Sequence, residues 1–458
     1  MKIIFLTDEQ EKKIPDKVYG CSYTLYPTPD LATLYNAAVL KKAGHSVALH
    51  RVKNINKPLP QADIYLINSV ILSFTSDLKL SQKLRKKTLF FFGPYPTLYP
   101  EKYLKYENHF VLRGETEHFI AKAILNPKKS LGVTYKTKNG IRNNKTAGII
   151  TNLDSIPFPL REIDEGKYYN PKLNLKKFTN VLGSRGCANR CYFCVPNSLS
   201  WARELEWKKT HKEKPPVTIR SAKNILKEME ILKKEGYEEF SFIDDQFAVV
   251  KERMLKLSKG LKKLKIHFGA LARADRLHDK EMIKALSQAG CVYIDLGVES
   301  FDQEILDDIK KDVKVETVLE TIKWLNQYKI DPKLNIMFGT SPKENEEKIR
   351  QTIEQTLKLP VSTCMFSIAT PFPGTELAKI ATKKKWVIKT QSINPASHAL
   401  ISYPHLSNEK LEKINVIANR RFYLRGKIIL KQLKKIKNFS QLKKSVILLK
   451  NYLRNFIS

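Results

Sequence analysis

No stretch of eighteen apolar residues occurs in this chain of 458 residues, so a membrane-crossing helix is not expected. Cysteine is scarce, six in all, which argues against a disulfide framework and for a reducing compartment. The opening MKIIFLTDEQEKK is apolar over too few residues for a secretion signal and reads as a first strand. The expectation is a cytoplasmic protein, peripheral to a membrane if its basic tail docks there. Clustered Arg and aromatic pairs, the mark of an RNA reader, are missing. Yet 81 Lys and Arg against 46 Asp and Glu leave a net charge of +35. That excess fits a polyanionic partner, or a lysine-rich composition with no partner behind it. It is mostly lysine and runs along the whole chain, so no specific nucleic-acid partner is expected.

What is present suggests two or three domains. Residues 1–128 alternate strands and helices: KIIFLT, then DLATLYNAAVLKKAG with Gly44 in a helix-stop position, SVALHRV, ADIYLINSV, TLFFFGPYP and HFVLRGETE. This pattern predicts a doubly wound, Rossmann-like parallel sheet, with a ligand-binding rim at Asn68–Ile71, Gly93–Thr97 and Arg113–Glu117. Residues 129–176 read as a hairpin and a proline-bearing linker. From Thr179, six strand segments (TNVLGS, EEFSFID, KIHFGALAR, CVYIDLGVE, KLNIMFGT and STCMFSIAT) alternate with helices near 221–235, 252–264, 279–289, 315–328 and 344–357. Ser221 is the expected cap of the first. A full eight-unit barrel needs about 250 residues, and 177–400 is shorter. A partial (β/α)6 barrel of the TIM type is therefore expected, within an α/β protein ending in a helical tail, 401–458. Residues 407–458 carry fourteen Lys or Arg against two Glu. Such a tail can lie on a membrane surface or pack on the barrel with its basic face in water.

Three of the six cysteines fall within eight residues, in SRGCANRCYFC: Cys187, Cys191 and Cys194. They follow the first barrel strand at its carboxyl end, where barrels build active sites. Gly183 and Gly186 let the loop bend. Three thiolates from one tight loop can hold an iron–sulfur cube and leave one iron open. Structural zinc is the alternative, but it wants four ligands in paired sets. No second Cys pair exists, and His211 is the one nearby histidine. Cys291 and Cys364, inside strand segments, read as buried small apolar groups.

At this point the sequence resembles the radical S-adenosylmethionine (SAM) enzymes, whose C-x3-C-x-(aromatic)-C motif follows the first strand of a six-unit barrel. CANRCYFC matches it, with Phe193 as the aromatic. The resemblance implies a 4Fe–4S cluster on Cys187, Cys191 and Cys194, with SAM on the open iron and Phe193 against its adenine. It further implies reductive cleavage of SAM to a 5′-deoxyadenosyl radical, with electrons from a flavodoxin- or ferredoxin-type donor. By the same resemblance Glu299 contacts the ribose or the methionine amino group. Asp244, Asp245 and Arg273 become candidates for SAM or substrate contacts; for all four, a salt bridge at the barrel rim is the other reading.

YPTPDLATLYNAAVLKKAGHSVALHRV (residues 26–52), FFGPYPTLYPEKYL and VLRGETE resemble the cobalamin-binding-type domain that precedes many such barrels. The whole resemblance covers about residues 1–400. The D-x-H-x-x-G loop of other cobalamin proteins is absent, and His45 reads as a helix-end residue. In the radical SAM subgroup the domain commonly binds cobalamin without a protein histidine. The function implied is a cobalamin-dependent C-methyltransferase acting on a small molecule, with ring formation or another radical rearrangement as the alternative. The basic amphipathic tail is the motive for expecting a hydrophobic substrate. A tRNA or protein methylthiotransferase would need a further N-terminal cysteine triplet, where this chain has Cys21 alone.

Overall fold

The computed structural model describes residues 1–9, 16–19, 26–388, 398–434 and 446. Cys21 and the tail beyond 434, Val446 excepted, lie outside the described residues.

The apolar segments of the first half form β1 (Lys2–Asp8), β2 (Ser46–Val52), β3 (Ile64–Asn68), β4 (Thr88–Phe92) and β5 (His109–Leu112). All five run parallel. IYLIN and TLFFF are nearly continuous apolar runs because both faces of the sheet are covered. Phe5, Leu66, Phe90 and Phe92 pack on one side; Leu6, Ile67, Leu89 and Phe91 pack on the other. Two more strands, β6 (Val133–Thr137) and β7 (Gly140–Asn143), add antiparallel to β5. The hairpin expected within 129–176 forms here, and it extends this sheet. The strand order is 2-1-3-4-5-6-7. It changes direction between β1 and β3, and at such a switch point the strand ends open a crevice.

The second sheet contains β8 (Phe178–Val181), then, past the short antiparallel pair β9 (Ser184–Arg185) and β10 (Thr218–Ile219), strands β11 (Glu239–Phe242), β12 (His267–Ala272), β13 (Cys291–Glu299), β14 (Asp331–Phe338) and β15 (Thr363–Ile368). Its order is 8-11-12-13-14-15, parallel throughout. Each strand joins the one before it, so the crossover helices fall on one face. That winding produces six βα units, the partial barrel expected. Ser221 caps the helix Ala222–Lys234 by accepting from Asn224 N–H, as its sequence position suggests; Asp279 and Asn345 cap two later crossovers. Ile294, Leu296, Ile336 and Phe366 face these helices and fill the main core, where Cys291 and Cys364 are also buried.

Alternate residues face inward. On this inner face Asp295, Gly297, Asn335, Met337, Met365 and Ser367 all stay partly exposed, although their strand neighbours are buried. Solvent therefore reaches the lumen. The helix Asn408–Tyr423 packs on β15, burying Leu411, Ala418 and Phe422, and Tyr423 Oη donates to the Cys364 carbonyl. The first part of the basic tail is docked on the barrel.

Among the described residues no helix is long and apolar enough to cross a membrane.

Candidate functional site

The cysteine loop leaves the carboxyl end of β8 and is held by the residues that end β11. Asp244 accepts from Gly183 N–H at 2.6 Å and from Ser184 Oγ at 2.8 Å. Asp245 accepts from Gly186 N–H at 2.9 Å and from Asn197 N–H at 2.7 Å. The two carboxylates thus clamp both ends of the segment that carries Cys187, Cys191 and Cys194. Burial raises the Asp244 carboxyl to about 6, against Arg253 and the two donors, and it raises Asp245 as well. Gly186 has φ of 89°, which a side chain resists. Tyr192 roots the middle of the loop: it is buried, its Oη donates to the Thr340 carbonyl, and its own carbonyl accepts from Leu377 N–H. Phe193 lies edge-on to Tyr192 and packs against the barrel core, half-buried.

All three thiols are free. Burial lifts the Cys187 thiol above its ordinary range. Three cations stand around the loop. Arg273 Nη1 lies 3.8 Å from Cys191 Sγ. Lys214 donates to the Asn189 carbonyl at 2.8 Å. Burial disfavours its charge, but Glu204 and then Cys194, Cys187 and Cys191 hold the ammonium above its usual value. Lys311 pairs with Glu299 at 2.9 Å, both buried. It too is raised despite burial, by Glu299 first and Cys191 next. This donor set fits an iron–sulfur cube: three thiolates on one loop make such a cluster anionic, and the surrounding cations offset that charge. Among the described residues no three His, Cys, Asp or Glu converge as one metal ion requires, and His211 stacks on Trp207 at 3.6 Å.

The other sequence candidates are placed as follows. Glu299 ends β13 with φ of 68°, beside a register shift in the β13–β14 pairing. Backbone strain of this kind persists only where the surroundings hold it, and it collects at functional positions. Arg273 directly follows β12, tied to Asp275 at 2.9 Å and to the carbonyls of Lys311 and Asp312. Arg273, Lys311 and Glu299 therefore meet beside Cys191. Asp244 and Asp245 are turned to the loop backbone.

Sequence reading missed Lys311 and Lys214. Gly297 was the available signal for the first: a Cβ there would lie 3.0 Å from both Glu299 Oε1 and Lys311 Nζ. It also missed the helix Ser198–His211, which links the cysteine loop to the first sheet. Arg203 on this helix meets Glu115, and Glu206 meets Arg113 at 3.1 Å. Arg185, two residues before Cys187, is buried between Glu115 and Glu117 at 2.8 and 2.7 Å.

Residues 181–356 match the model of the Radical SAM superfamily. That match falls on the strands and helices of the barrel. The chain is 29% identical over 314 residues to an uncharacterized methyltransferase of Pyrococcus horikoshii, an alignment covering 67% of this chain and 64% of that protein. It is 23% identical over 348 residues to an anaerobic magnesium-protoporphyrin IX monomethyl ester cyclase of Synechocystis, covering 72% and 65%. The match thus spans slightly under two thirds of these curated relatives. Among solved structures, the radical SAM methyltransferase TsrM of Kitasatospora setae, with cobalamin and a [4Fe-4S] cluster bound, superposes with a TM-score of 0.63 at 15% identity, covering 90% of this chain and 81% of that one. At that identity the likeness speaks for the shared fold: an N-terminal Rossmann-like sheet followed by a partial barrel.

Proposed function

We propose that the chain is a radical SAM enzyme that methylates a carbon of a small-molecule substrate with the help of cobalamin. The observation that carries this reading is the three-thiol loop, clamped at the mouth of a radical SAM barrel and ringed by Arg273, Lys214 and Lys311. Cys187, Cys191 and Cys194 would hold a 4Fe–4S cluster, which when bound supplies the electron that splits SAM into methionine and a 5′-deoxyadenosyl radical. Glu299 and Arg273 stand at the strand ends nearest the loop and would orient the amino and carboxylate groups of SAM. Phe193 would lie against the adenine. Asp244 and Asp245 keep the loop in shape, and a one-electron donor of the flavodoxin or ferredoxin type would approach from outside.

Cobalamin, as methyl carrier, is supported by the rim of the first sheet. A narrow crevice there is lined by Asn68, Gly93, Gly114 and Glu117, and the Ser198–His211 helix closes its far side. Asn68 Oδ1 and Glu117 Oε2 are buried there with no donor. That space, about 10 Å³, takes one water, so the support for cobalamin is the strand-end rim at the switch point of the sheet. Ring formation is the second reading, favoured by the Synechocystis cyclase, which aligns with more of this chain than the Pyrococcus relative does.

Anaerobic reconstitution with iron, sulfide and hydroxocobalamin, followed by SAM and dithionite, tests the proposal. It predicts 5′-deoxyadenosine in the products and a cobalamin spectrum that survives desalting. A reconstituted cluster that never yields 5′-deoxyadenosine contradicts it. Loss of all cobalamin on desalting removes the methyl-carrier part and leaves ring formation.

A further inference from the structure

The barrel lumen holds a group of charges remote from the cysteine loop. Asp295 on β13 points inward, and two lysines reach it. Lys172, from the segment before β8, donates to Asp295 Oδ2 at 2.6 Å. Lys333, directly beside Asp295 in the β13–β14 register, stands 3.6 Å from Oδ1. That is too far for a hydrogen bond. Asp295 Oδ1 is buried with no donor at hydrogen-bond distance, so Lys333 is held beside it by charge. The lysines stand in the same tetrapeptide, PKLN, at 171–174 and 332–335. A lysine inside a buried parallel strand is itself unusual.

The charges do not balance. Two ammonium groups face one carboxylate, in a lumen where a buried cation without full pairing is costly. Burial lowers Lys333 to about 8, Lys172 adds to the effect, and Asp295 opposes it without cancelling it. Asp295 itself is held below its ordinary range by Lys172 and Lys333 in spite of burial. The shortfall is a single negative charge. A monoanion completes it, whereas a dianion would leave a buried excess of the opposite sign.

The neighbourhood sets the rest of the ligand. Leu271 lies beside Asp295 in the β12–β13 register, and Met365 lies one rung nearer the rim, beside Asn335. The lysine pair is four residues below Glu299 on β13, about 13 Å at strand spacing. Partly exposed Gly297, Asn335 and Met337 lie between the two levels.

We propose that Lys333 and Lys172 bind the carboxylate of the substrate, an apolar-bodied monocarboxylic acid whose other end reaches toward the strand ends near Glu299. The proposal rests on the radical SAM reading and names the substrate class for the same barrel.

The test uses the full chain, anaerobically reconstituted. Calorimetric titration compares acetate, phenylacetate and 3-phenylpropionate with their neutral amides and with phenyl phosphate. At least one acid should bind ten-fold or more tightly than its amide and more tightly than the phosphate. Lys333→Gln should erase that preference and Lys333→Arg should keep it, with the cluster's EPR spectrum as the check on folding. Acids and amides that behave alike in the wild type overturn the proposal, as does a preference that survives Lys333→Gln combined with Lys172→Gln. Tighter binding of phenyl phosphate overturns the carboxylate assignment. Because binding is read by heat, a chain that shows no acid preference yet forms 5′-deoxyadenosine sinks the lumen site alone. A chain that prefers acids but yields no 5′-deoxyadenosine sinks the radical reading alone.

Discussion

At the scale of single residues, Glu299 and Lys311 depend on each other. Glu299→Ala leaves a buried ammonium with no carboxylate, and breaking such a pair costs about 3–5 kcal/mol. Urea denaturation should register that loss, and Glu299→Ala combined with Lys311→Met should regain most of it. An unchanged midpoint in the single variant would show that the pair is open to water. The cysteine loop stands out in the sequence because a ligand motif is local: its three thiols fall within eight residues. Lys311 was not legible. It lies twelve residues beyond Glu299, and only the fold returns it to that carboxylate. Asp244 and Asp245 were read as candidates for ligand contacts, and the structure turns them to the backbone of the cysteine loop, some sixty residues earlier. A carboxylate in a strand-end motif does not reveal whether its partner is a ligand or a distant N–H.

At the scale of elements, the strands were the most legible part, since six apolar β-prone segments separated by amphipathic helices leave few alternatives. The Ser198–His211 helix escaped notice for a physical reason. Its buried face includes Arg203 and Glu206, paired to Glu115 and Arg113, so it shows no apolar stripe to read. On β13, Gly297 is the element's weak point. Gly297→Ala would place a methyl group 3.0 Å from both members of the Glu299–Lys311 pair, and overpacking of this kind costs about 1–3 kcal/mol. Thermal melting of the variant should fall accordingly; a neutral result would mean the pair can shift at no cost. On β14, Lys333 predicts a pH signature. Asp295 and Lys172 face it, Cys364 acts on it from β15, and its value in the fold is about 8 against an ordinary 10.5. Between those values the unfolded chain binds a proton that the folded chain does not, so the stability of the wild type rises with pH across that window. Lys333→Met should be the more stable form near pH 7, with the gap closing as pH approaches 10. A gap that is constant with pH would contradict the burial of that ammonium.

At the scale of the whole molecule, the two sheets are joined through buried charge. Arg185 precedes the cysteine loop, and its two carboxylate partners, Glu115 and Glu117, follow β5 at the rim of the first sheet. Arg185→Met would strand Glu117 and weaken the hold on Glu115, at about 3–5 kcal/mol. The chain should unfold earlier in urea, and adding Glu117→Gln should recover part of the loss. No recovery would mean that the arginine acts through its packing instead. The net charge of +35 has no single address in the fold. The barrel takes up the start of the basic tail, where Arg421 pairs with Glu354 on the neighbouring helix.

The most direct measurement is low-temperature EPR, with iron quantitation, on chain purified without oxygen and reduced in the presence and absence of SAM. The account predicts about four irons per chain and a reduced-cluster signal that changes when SAM is added, both lost when serine replaces Cys187, Cys191 or Cys194. A signal indifferent to SAM, or a cluster that persists in all three serine variants, would contradict it.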